Sequence, residues 1–187
     1  MNVALLASGK GSNVDNLLRY FSENNKVNIV LVGSNNNDSG ALKYAINHKV
    51  STFIFSKKEL DNTNILLESL ESNQIELLIL AGFMLKIPPT FIENFSGSIV
   101  NVHPSLLPKY GGKGMYGDHV HRKVLENNEK QSGITFHYVN ENYDEGKIIA
   151  QFPINLSVNE TVLTLRQKIN KLEWTKFPLV IEALINE

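Results

Sequence analysis

The chain has 187 residues, of which 42% are hydrophobic, and its 18 lysines and arginines nearly balance 19 aspartates and glutamates. This length and composition suit one folded domain with its own core and argue against a long disordered chain. The formal net charge of -1 disfavours a nucleic-acid-binding surface, and the absence of cysteine excludes disulfides, thiolate nucleophiles and cysteine metal sites.

The first residues resemble neither a signal peptide nor a membrane span. The apolar run Val3–Ala7 stops at Ser8-Gly9, which is too short for either segment. We therefore predict a cytoplasmic protein without a membrane partner. The near-neutral charge predicts no nucleic-acid partner, and the sequence leaves open whether the protein is a monomer or a homodimer.

Short apolar segments alternate with helical patterns through the first 102 residues. The apolar runs predict five strands, at 2–7, 27–32, 52–55, 77–80 and 98–102. Between them, the helical spacing of apolar residues predicts helices over 13–21, 40–48 and 59–73. This alternation indicates an α/β fold with a doubly wound, mainly parallel sheet.

The pattern changes in the C-terminal half. Residues 135–139 and 147–156 predict two longer strands around a polar loop, which form an antiparallel extension of the sheet. A final helix is predicted to begin near Asn159 and Glu160 and to be kinked or restarted at Pro178. No segment reads as a linker, so we predict a single domain over residues 1–187.

The glycine-rich turn Ser8–Asn13 follows the first strand and opens the first helix. Ligands of such sheets bind beyond the carboxyl ends of the strands, and the N–H groups at a helix N-terminus favour an anion. Val14 stands where a dinucleotide-binding motif has its third glycine, and the second strand does not end in an acidic residue. We predict that Gly11, Ser12 and Asn13 bind a phosphomonoester; a turn without a ligand is the alternative.

Asn101 and His103 lie two positions apart at the end of the fifth predicted strand, and therefore on the same side of it. An amide donor and an imidazole directed at one point can bind a carbonyl oxygen that becomes an oxyanion and can move a proton. Asp144, in a later loop, could orient that imidazole and stabilise its protonated form. A capped strand end with a satisfied histidine, and a turn role for Asp144, are the structural alternatives.

The remaining histidines give weaker signals. His119 and His121 begin a predicted helix, where positions i and i+2 diverge, so we predict no metal site there. His137 lies in the predicted strand 135–139, and its contribution to a site is left open.

Four motifs, in this order and spacing, resemble the folate-dependent formyltransferase family. They are Ser8-Gly-x-Gly-Ser-Asn13, Ala81-Gly-Phe-Met84, Asn101-x-His-Pro-Ser-Leu-Leu-Pro108 and Asp144-x-Gly146. The similarity extends from the first strand to the last helix, and the first motif is similar to that of the members that act in purine biosynthesis. The resemblance implies a Rossmann-like fold and transfer of the formyl group of 10-formyltetrahydrofolate, as co-substrate, to the amine of glycinamide ribonucleotide without a metal.

The resemblance also implies a role for individual residues. Asn101 would hydrogen-bond the formyl oxygen, His103 would assist proton movement, and Asp144 would keep His103 basic and position a water. The implied ribonucleotide contacts are Gly11, Ser12, Asn13, Asn170 and Glu173. The implied folate contacts are Met84, Leu85, Lys86, Ile87, Asn101, Asn140, Glu141, Asn142, Tyr143 and Asp144. Residues 1–100 would form the nucleotide-phosphate-binding half, and residues 101–187 the catalytic and folate-binding half.

Three questions stay open at this point. The glycine-rich loop 110–117 could be a passive surface loop or a lid beside the chemistry. The acceptor could be another amine, such as an amino sugar nucleotide or methionyl-tRNA, or the reaction could be hydrolysis of formyltetrahydrofolate, although such relatives usually carry an additional domain. The protein could also be a nucleotide-binding module without catalysis, although such a module would not need Asn101, His103 and Asp144 to converge.

Overall fold

The structure, a computed structural model, describes residues 1–24 and 26–186. The strands are β1 (Asn2–Leu6), β2 (Asn28–Ser34), β3 (Ser51–Ile54), β4 (Ile75–Leu80), β5 (Ser98–His103), β6 (Gln131–Tyr138) and β7 (Ile148–Asn155). The helices are α1 (Ser12–Phe21), α2 (Gly40–Asn47), α3 (Lys57–Asp61), α4 (Asn64–Ser72), α5 (Pro89–Asn94), α6 (Asp118–Glu126) and α7 (Val162–Asn186).

One seven-stranded sheet has the order β3-β2-β1-β4-β5-β6-β7. The first five strands run parallel, and β6 pairs antiparallel with β5 and with β7. The predicted doubly wound sheet with an antiparallel extension is therefore confirmed. The carboxyl ends of β1, β4 and β5 lie side by side, which brings the loops that follow them to one edge.

The central strands are mostly apolar because helices cover both faces of the sheet. In β1, Val3 and Leu5 belong to the core beneath α1 and α7, whereas Ala4 and Leu6 belong to the core on the opposite face. All four side chains are fully or almost fully buried. Strand β1 thus packs against the helices on both faces of the sheet.

Two helical predictions needed correction. The predicted helix 59–73 is interrupted, because Thr63 has φ 48° between α3 and α4. The first piece begins earlier than predicted, at a capping box in which Ser56 and Glu59 bond to each other's backbone N–H groups. The short helix α5, with Pro89 in its first turn and Phe91 fully buried, was not predicted.

The last helix begins two residues later than predicted and continues past its proline. Thr161, not Asn159, caps α7, since its hydroxyl accepts a hydrogen bond from the Thr164 N–H at 3.2 Å. Pro178 lies inside the helix and offers no N–H to the carbonyl of Trp174 one turn earlier. Asn16 of α1 donates to that carbonyl instead, at 2.8 Å, so the helix does not restart at Pro178.

Among the described residues, no helix combines the length and the apolar composition that crossing a membrane requires.

Candidate active site

A cleft of about 340 Å³ lies at the edge where β1, β4 and β5 end. Its volume is within the range typical of small-molecule sites. The residues predicted from sequence that line it are Asn13, Met84, Leu85, Lys86, Ile87, Asn101, His103, Asn140, Asn142, Tyr143, Asp144, Asn170 and Glu173. Of the other predicted site residues, Gly11, Ser12 and Glu141 lie outside this lining. Most residues that the sequence singled out thus meet in one cavity.

Asn101 is held in place by a histidine on the neighbouring strand. The antiparallel register of β5 and β6 places His137 opposite Asn101. His137 Nδ1 lies 2.9 Å from the Tyr138 carbonyl, which can only accept, so Nδ1 carries the proton of the neutral ring. Its Nε2 then accepts from Asn101 Nδ2 at 3.0 Å. The second N–H of the Asn101 amide remains for a ligand in the cleft.

Burial keeps His137 in this neutral form. The ring is only 2% exposed, and its desolvation lowers the pKa of His137, although the bond to Tyr138 and the charge of Asp144 act in the opposite direction. Asp144 Oδ1 lies 3.7 Å from its Nε2. A neutral ring with a fixed tautomer gives Asn101 a permanent acceptor and hence a fixed orientation.

His103 lies between two acceptors. Its Nε2 donates to the Tyr110 carbonyl at 2.7 Å, and its Nδ1 lies 3.4 Å from Asp144 Oδ2. The ring is 4% exposed and lines the cleft. Because Nε2 is already bonded, Nδ1 is the ring nitrogen that can exchange a proton, and it lies beside a carboxylate.

Asp144 is fixed by its backbone and by the glycine-rich loop. It has φ 57°, and its Oδ2 accepts from the Gly112 N–H at 2.8 Å. A Cβ on Gly111 would lie 3.1 Å from Asp144 Cβ and 2.6 Å from Leu107 Cδ2, so a glycine at that position allows the close approach. The loop 110–117 therefore forms part of the site.

The other residues of that loop form one wall of the cleft. Gly112, Gly114 and Gly117 all have positive φ, and a Cβ on any of them would meet nothing within 4 Å. Met115 and Tyr116 lie between these glycines and also line the cleft. Of the two alternatives left open for this segment, a loop beside the chemistry is therefore favoured over a passive surface loop.

A second polar group lies at the α1 and α7 side of the cleft. Asn13 Nδ2 donates to Glu173 Oε2 at 2.8 Å, and Asn170 lies on the same face of α7. Burial raises the pKa of Glu173 to about 7, while the hydrogen bond from Asn13 acts to lower it. Within the described part of the chain, the backbone N–H groups of Ser12 and Asn13 have no protein acceptor. This end of the cleft therefore offers donors to an anion.

The second glycine of the first turn, Gly11, is needed for packing. Gly11 has φ 76°, and a Cβ there would lie 2.4 Å from the backbone nitrogen of Ala41 in α2. Ser8 is also structural: its hydroxyl donates to Asn35 Oδ1 at 2.6 Å and accepts from the Met84 N–H at 2.9 Å. The turn brings three loops together as well as exposing the N-terminus of α1.

The segment after β4 supplies a largely apolar wall. Leu85 and Ile87 line it together with Val139 from the end of β6. At its rim, Lys86 Nζ lies 5.0 Å from the centre of the Tyr143 ring, a cation–π distance. This wall suits a flat, mostly apolar ligand with a polar end.

Sequence reasoning missed three contributors to the site, two of which line the cleft. Arg166 Nη1 donates to Asp118 Oδ2 at 2.9 Å, and both residues line the cavity. Arg166 precedes Asn170 by four residues and Glu173 by seven, a spacing along one helix face that could have revealed it. The third contributor is the Tyr110 carbonyl, which has no sequence signal.

The His119–His121 pair diverges as predicted. His119 is exposed, whereas His121 is 3% exposed and lines the cleft; burial lowers the pKa of His121. Its Nδ1 has no hydrogen-bond partner in the described residues. Within the same residues, no group of three or more histidine or acidic side chains is arranged to hold a metal ion.

Comparisons with known proteins show the family and the overall fold. Residues 1–181 match the family described as formyl transferase. A phosphoribosylglycinamide formyltransferase of Bacillus subtilis is 34% identical over 97% of this chain and 93% of its own length. The chloroplastic phosphoribosylglycinamide formyltransferase of Arabidopsis thaliana is 32% identical over 99% of this chain, which spans 65% of that relative. The crystal structure of phosphoribosylglycinamide formyltransferase from Anaplasma phagocytophilum superposes with a TM-score of 0.90 at 31% identity, covering 100% of this chain and 87% of that one.

Proposed function

Because the chain belongs to the formyl transferase family, we propose that it transfers the formyl group of 10-formyltetrahydrofolate to the amine of glycinamide ribonucleotide. The names of the Bacillus subtilis and Anaplasma phagocytophilum relatives support this acceptor. The chain spans 65% and 61% of the length of two plant relatives with the same name.

The observation that carries the proposal is the arrangement of one cleft with two polar ends. At one end, Asn101, His103 and Asp144 converge; at the other, Asn13 and Glu173 lie beside the free N–H groups of α1. A nucleotide with a phosphate at one end and an amine at the other would span these two groups.

The reaction replaces one carbon–nitrogen bond with another. The amine nitrogen of the ribonucleotide bonds to the formyl carbon, the bond from that carbon to the folate nitrogen breaks, and one proton passes from the amine to the folate nitrogen. The formyl oxygen becomes negative on the way. Asn101 Nδ2 has an N–H left over from its bond to His137, and it donates to that oxygen.

His103 transfers the proton with the help of Asp144. The hydrogen bond to the Tyr110 carbonyl engages His103 Nε2. The proton is therefore exchanged at Nδ1, which lies 3.4 Å from Asp144 Oδ2. Asp144 stabilises the imidazolium that forms, and Gly112 keeps the carboxylate in place. Asp144 also positions a water through Oδ1, the oxygen that does not accept from the Gly112 N–H.

The two substrates bind on opposite sides of these groups. The free N–H groups of Ser12 and Asn13, with Gly11 allowing the turn, bind the phosphate, and Asn170 and Glu173 bind the ribose. Residues 84–87 and 140–144 bind the folate. Leu85, Ile87 and Val139 form the apolar wall against its ring, and Lys86 and Tyr143 lie at the outer end. The monomer or homodimer state and the cytoplasmic location stay predictions.

One assay tests the proposal. Purified protein is mixed with 10-formyltetrahydrofolate and glycinamide ribonucleotide, and the folate absorbance is followed. We expect a change that requires both the protein and the ribonucleotide, at a severely reduced rate with His103→Asn. A change without the amine would indicate hydrolysis, and turnover only with another amine, such as an amino sugar nucleotide, would overturn the proposed acceptor.

A further inference from the structure

Tyr110 connects the active site with a hydrogen-bonded group outside it. Its backbone has φ 58°, which directs its carbonyl at His103 Nε2, 2.7 Å away. Its hydroxyl points in another direction, where it donates to Glu129 Oε1 at 2.9 Å and accepts from Asn127 Nδ2 at 2.9 Å. None of these outer partners lines the catalytic cleft. The carbonyl of Tyr110 thus contacts the active site, while hydrogen bonds outside the cleft hold its side chain.

The ring of Tyr110 is not held by packing on every side. It borders a second cleft of about 220 Å³, whose lining also includes Leu106, Val124 and Ser132. The Ser132 hydroxyl is buried and has no hydrogen-bond partner among the residues described. A cavity beside an aromatic ring supplies fewer contacts to hold it than a close-packed core would. The hydrogen bonds at the hydroxyl therefore matter more for the position of this ring.

Glu129 is the strongest acceptor available to that hydroxyl. The same oxygen that accepts from Tyr110 accepts from Lys109 Nζ at 2.9 Å, and these bonds, that from Lys109 first, lower the pKa of Glu129. A carboxylate acceptor forms stronger hydrogen bonds than a neutral one. The Lys109–Glu129 pair spans the loop after β5 and the loop before β6.

We propose that Glu129 is a positioning residue for His103, acting through Tyr110. The proposal rests on the proposed function, in which His103 exchanges a proton at Nδ1. The tautomer of a histidine is set by the bond that its other nitrogen makes, and here that bond goes to the Tyr110 carbonyl. A non-glycine residue with positive φ persists only where its surroundings hold it. Without Glu129, Tyr110 relaxes, its carbonyl leaves Nε2, and the ring of His103 loses its fixed orientation.

Three variants test the proposal. Glu129→Ala removes the acceptor of the Tyr110 hydroxyl, and Tyr110→Phe removes the hydroxyl while keeping the ring. Glu126→Ala is the matched control, because it removes a surface ion pair of the same length, 2.9 Å to Lys123, from the end of α6 without touching Tyr110. Urea unfolding of each variant separates a change in position from a loss of folding.

Two readouts are needed. The first is kcat and KM for both substrates: Glu129→Ala should lower kcat by about tenfold with little change in either KM, because a small displacement of a reacting group has effects of this order. The second is the ¹⁵N–¹H spectrum of the histidine rings of the free protein, assigned by comparison with His103→Asn. The His103 Nε2–H signal should shift or broaden in Glu129→Ala and Tyr110→Phe and stay unchanged in Glu126→Ala.

The outcomes separate this proposal from the proposed function. If the wild-type protein transfers no formyl group, the proposed function fails, while the ring spectra still decide whether Glu129 positions His103. An unchanged His103 signal in a folded Glu129→Ala variant would overturn the positioning role. So would a double variant, Glu129→Ala with Tyr110→Phe, whose loss in kcat is the sum of the two single losses in logarithms.

Discussion

Replacing Glu173 with glutamine should stabilise the protein above about pH 4.5, and most at pH 7 and above. Glu173 lies on α7 at the wall of the cleft, and burial raises its pKa from 4.5 to about 7. Its folded-state pKa is therefore higher than its unfolded-state pKa, so the folded state favours the protonated form. The contribution of this group to stability is complete below pH 4.5 and is lost as the pH rises through about 7.

The magnitude follows from that difference. At about 1.4 kcal/mol per pKa unit, the rise from 4.5 to about 7 costs the folded state up to about 3 kcal/mol once the carboxylate is ionised. Glutamine stays neutral at every pH, and its carbonyl oxygen can still accept the hydrogen bond from Asn13. The variant should thus match the wild type in acid and exceed it by up to about 3 kcal/mol near pH 8.

Urea unfolding at a series of pH values measures the difference. Both proteins are unfolded at intervals from about pH 4.5 to about pH 8, and the free energy of unfolding is extrapolated to water at each pH. Glu93→Gln, which changes an exposed glutamate of α5, is the control and should follow the wild type throughout. Parallel curves for the wild type and Glu173→Gln would refute the reasoning, because they would mean that Glu173 titrates alike in the folded and unfolded chains.

Three further predictions concern the chemistry and the first turn. Asn101→Ala should lower kcat by about a hundredfold or more with a smaller change in KM, since one oxyanion donor contributes roughly 3–4 kcal/mol; near-normal turnover in steady-state assays would exclude the role. His103→Asn and Asp144→Asn should each lower kcat/KM severely, and the double variant should lose little more than the worse single one, whereas independent residues would give additive losses in logarithms. Gly11→Ala should lower the free energy of unfolding by about 1–3 kcal/mol, because its Cβ would meet Ala41 at positive φ; a fully stable variant with a raised KM for the ribonucleotide would instead assign this glycine to the phosphate alone.

The strands were predictable because each carries its own signal. Runs such as residues 3–7 and 77–80 are apolar at every position, as is typical of strands covered on both faces. The helical errors arose where a backbone conformation has no sequence signature. Thr63 adopts a positive φ that threonine rarely adopts, so the interruption between α3 and α4 was not visible in an otherwise continuous apolar spacing.

The candidate site was also only partly predictable from the sequence, for the same reason. Asn101 and His103 could be assigned to one face from the alternation within a single strand. The hydrogen-bond partner of Asn101 could not be predicted, because it depends on the register between β5 and β6. That register places His137 opposite Asn101, although the two residues are 36 positions apart in sequence. The Tyr110 carbonyl is a main-chain atom, and its direction depends on a local φ that the sequence does not specify.

Pro178 fixes the rotation of α7 about its own axis, although it does not line the cleft. The carbonyl that it leaves free, on Trp174, accepts from Asn16, and the indole N–H of the same Trp174 donates to the Ser12 carbonyl at 3.1 Å. One residue of α7 is thereby joined to α1 through both its main chain and its side chain. Turning the helix by a single position, about 100°, would break both bonds and carry residue 173 out of the cavity. A residue that usually ends helices here sets the direction in which a buried carboxyl group faces.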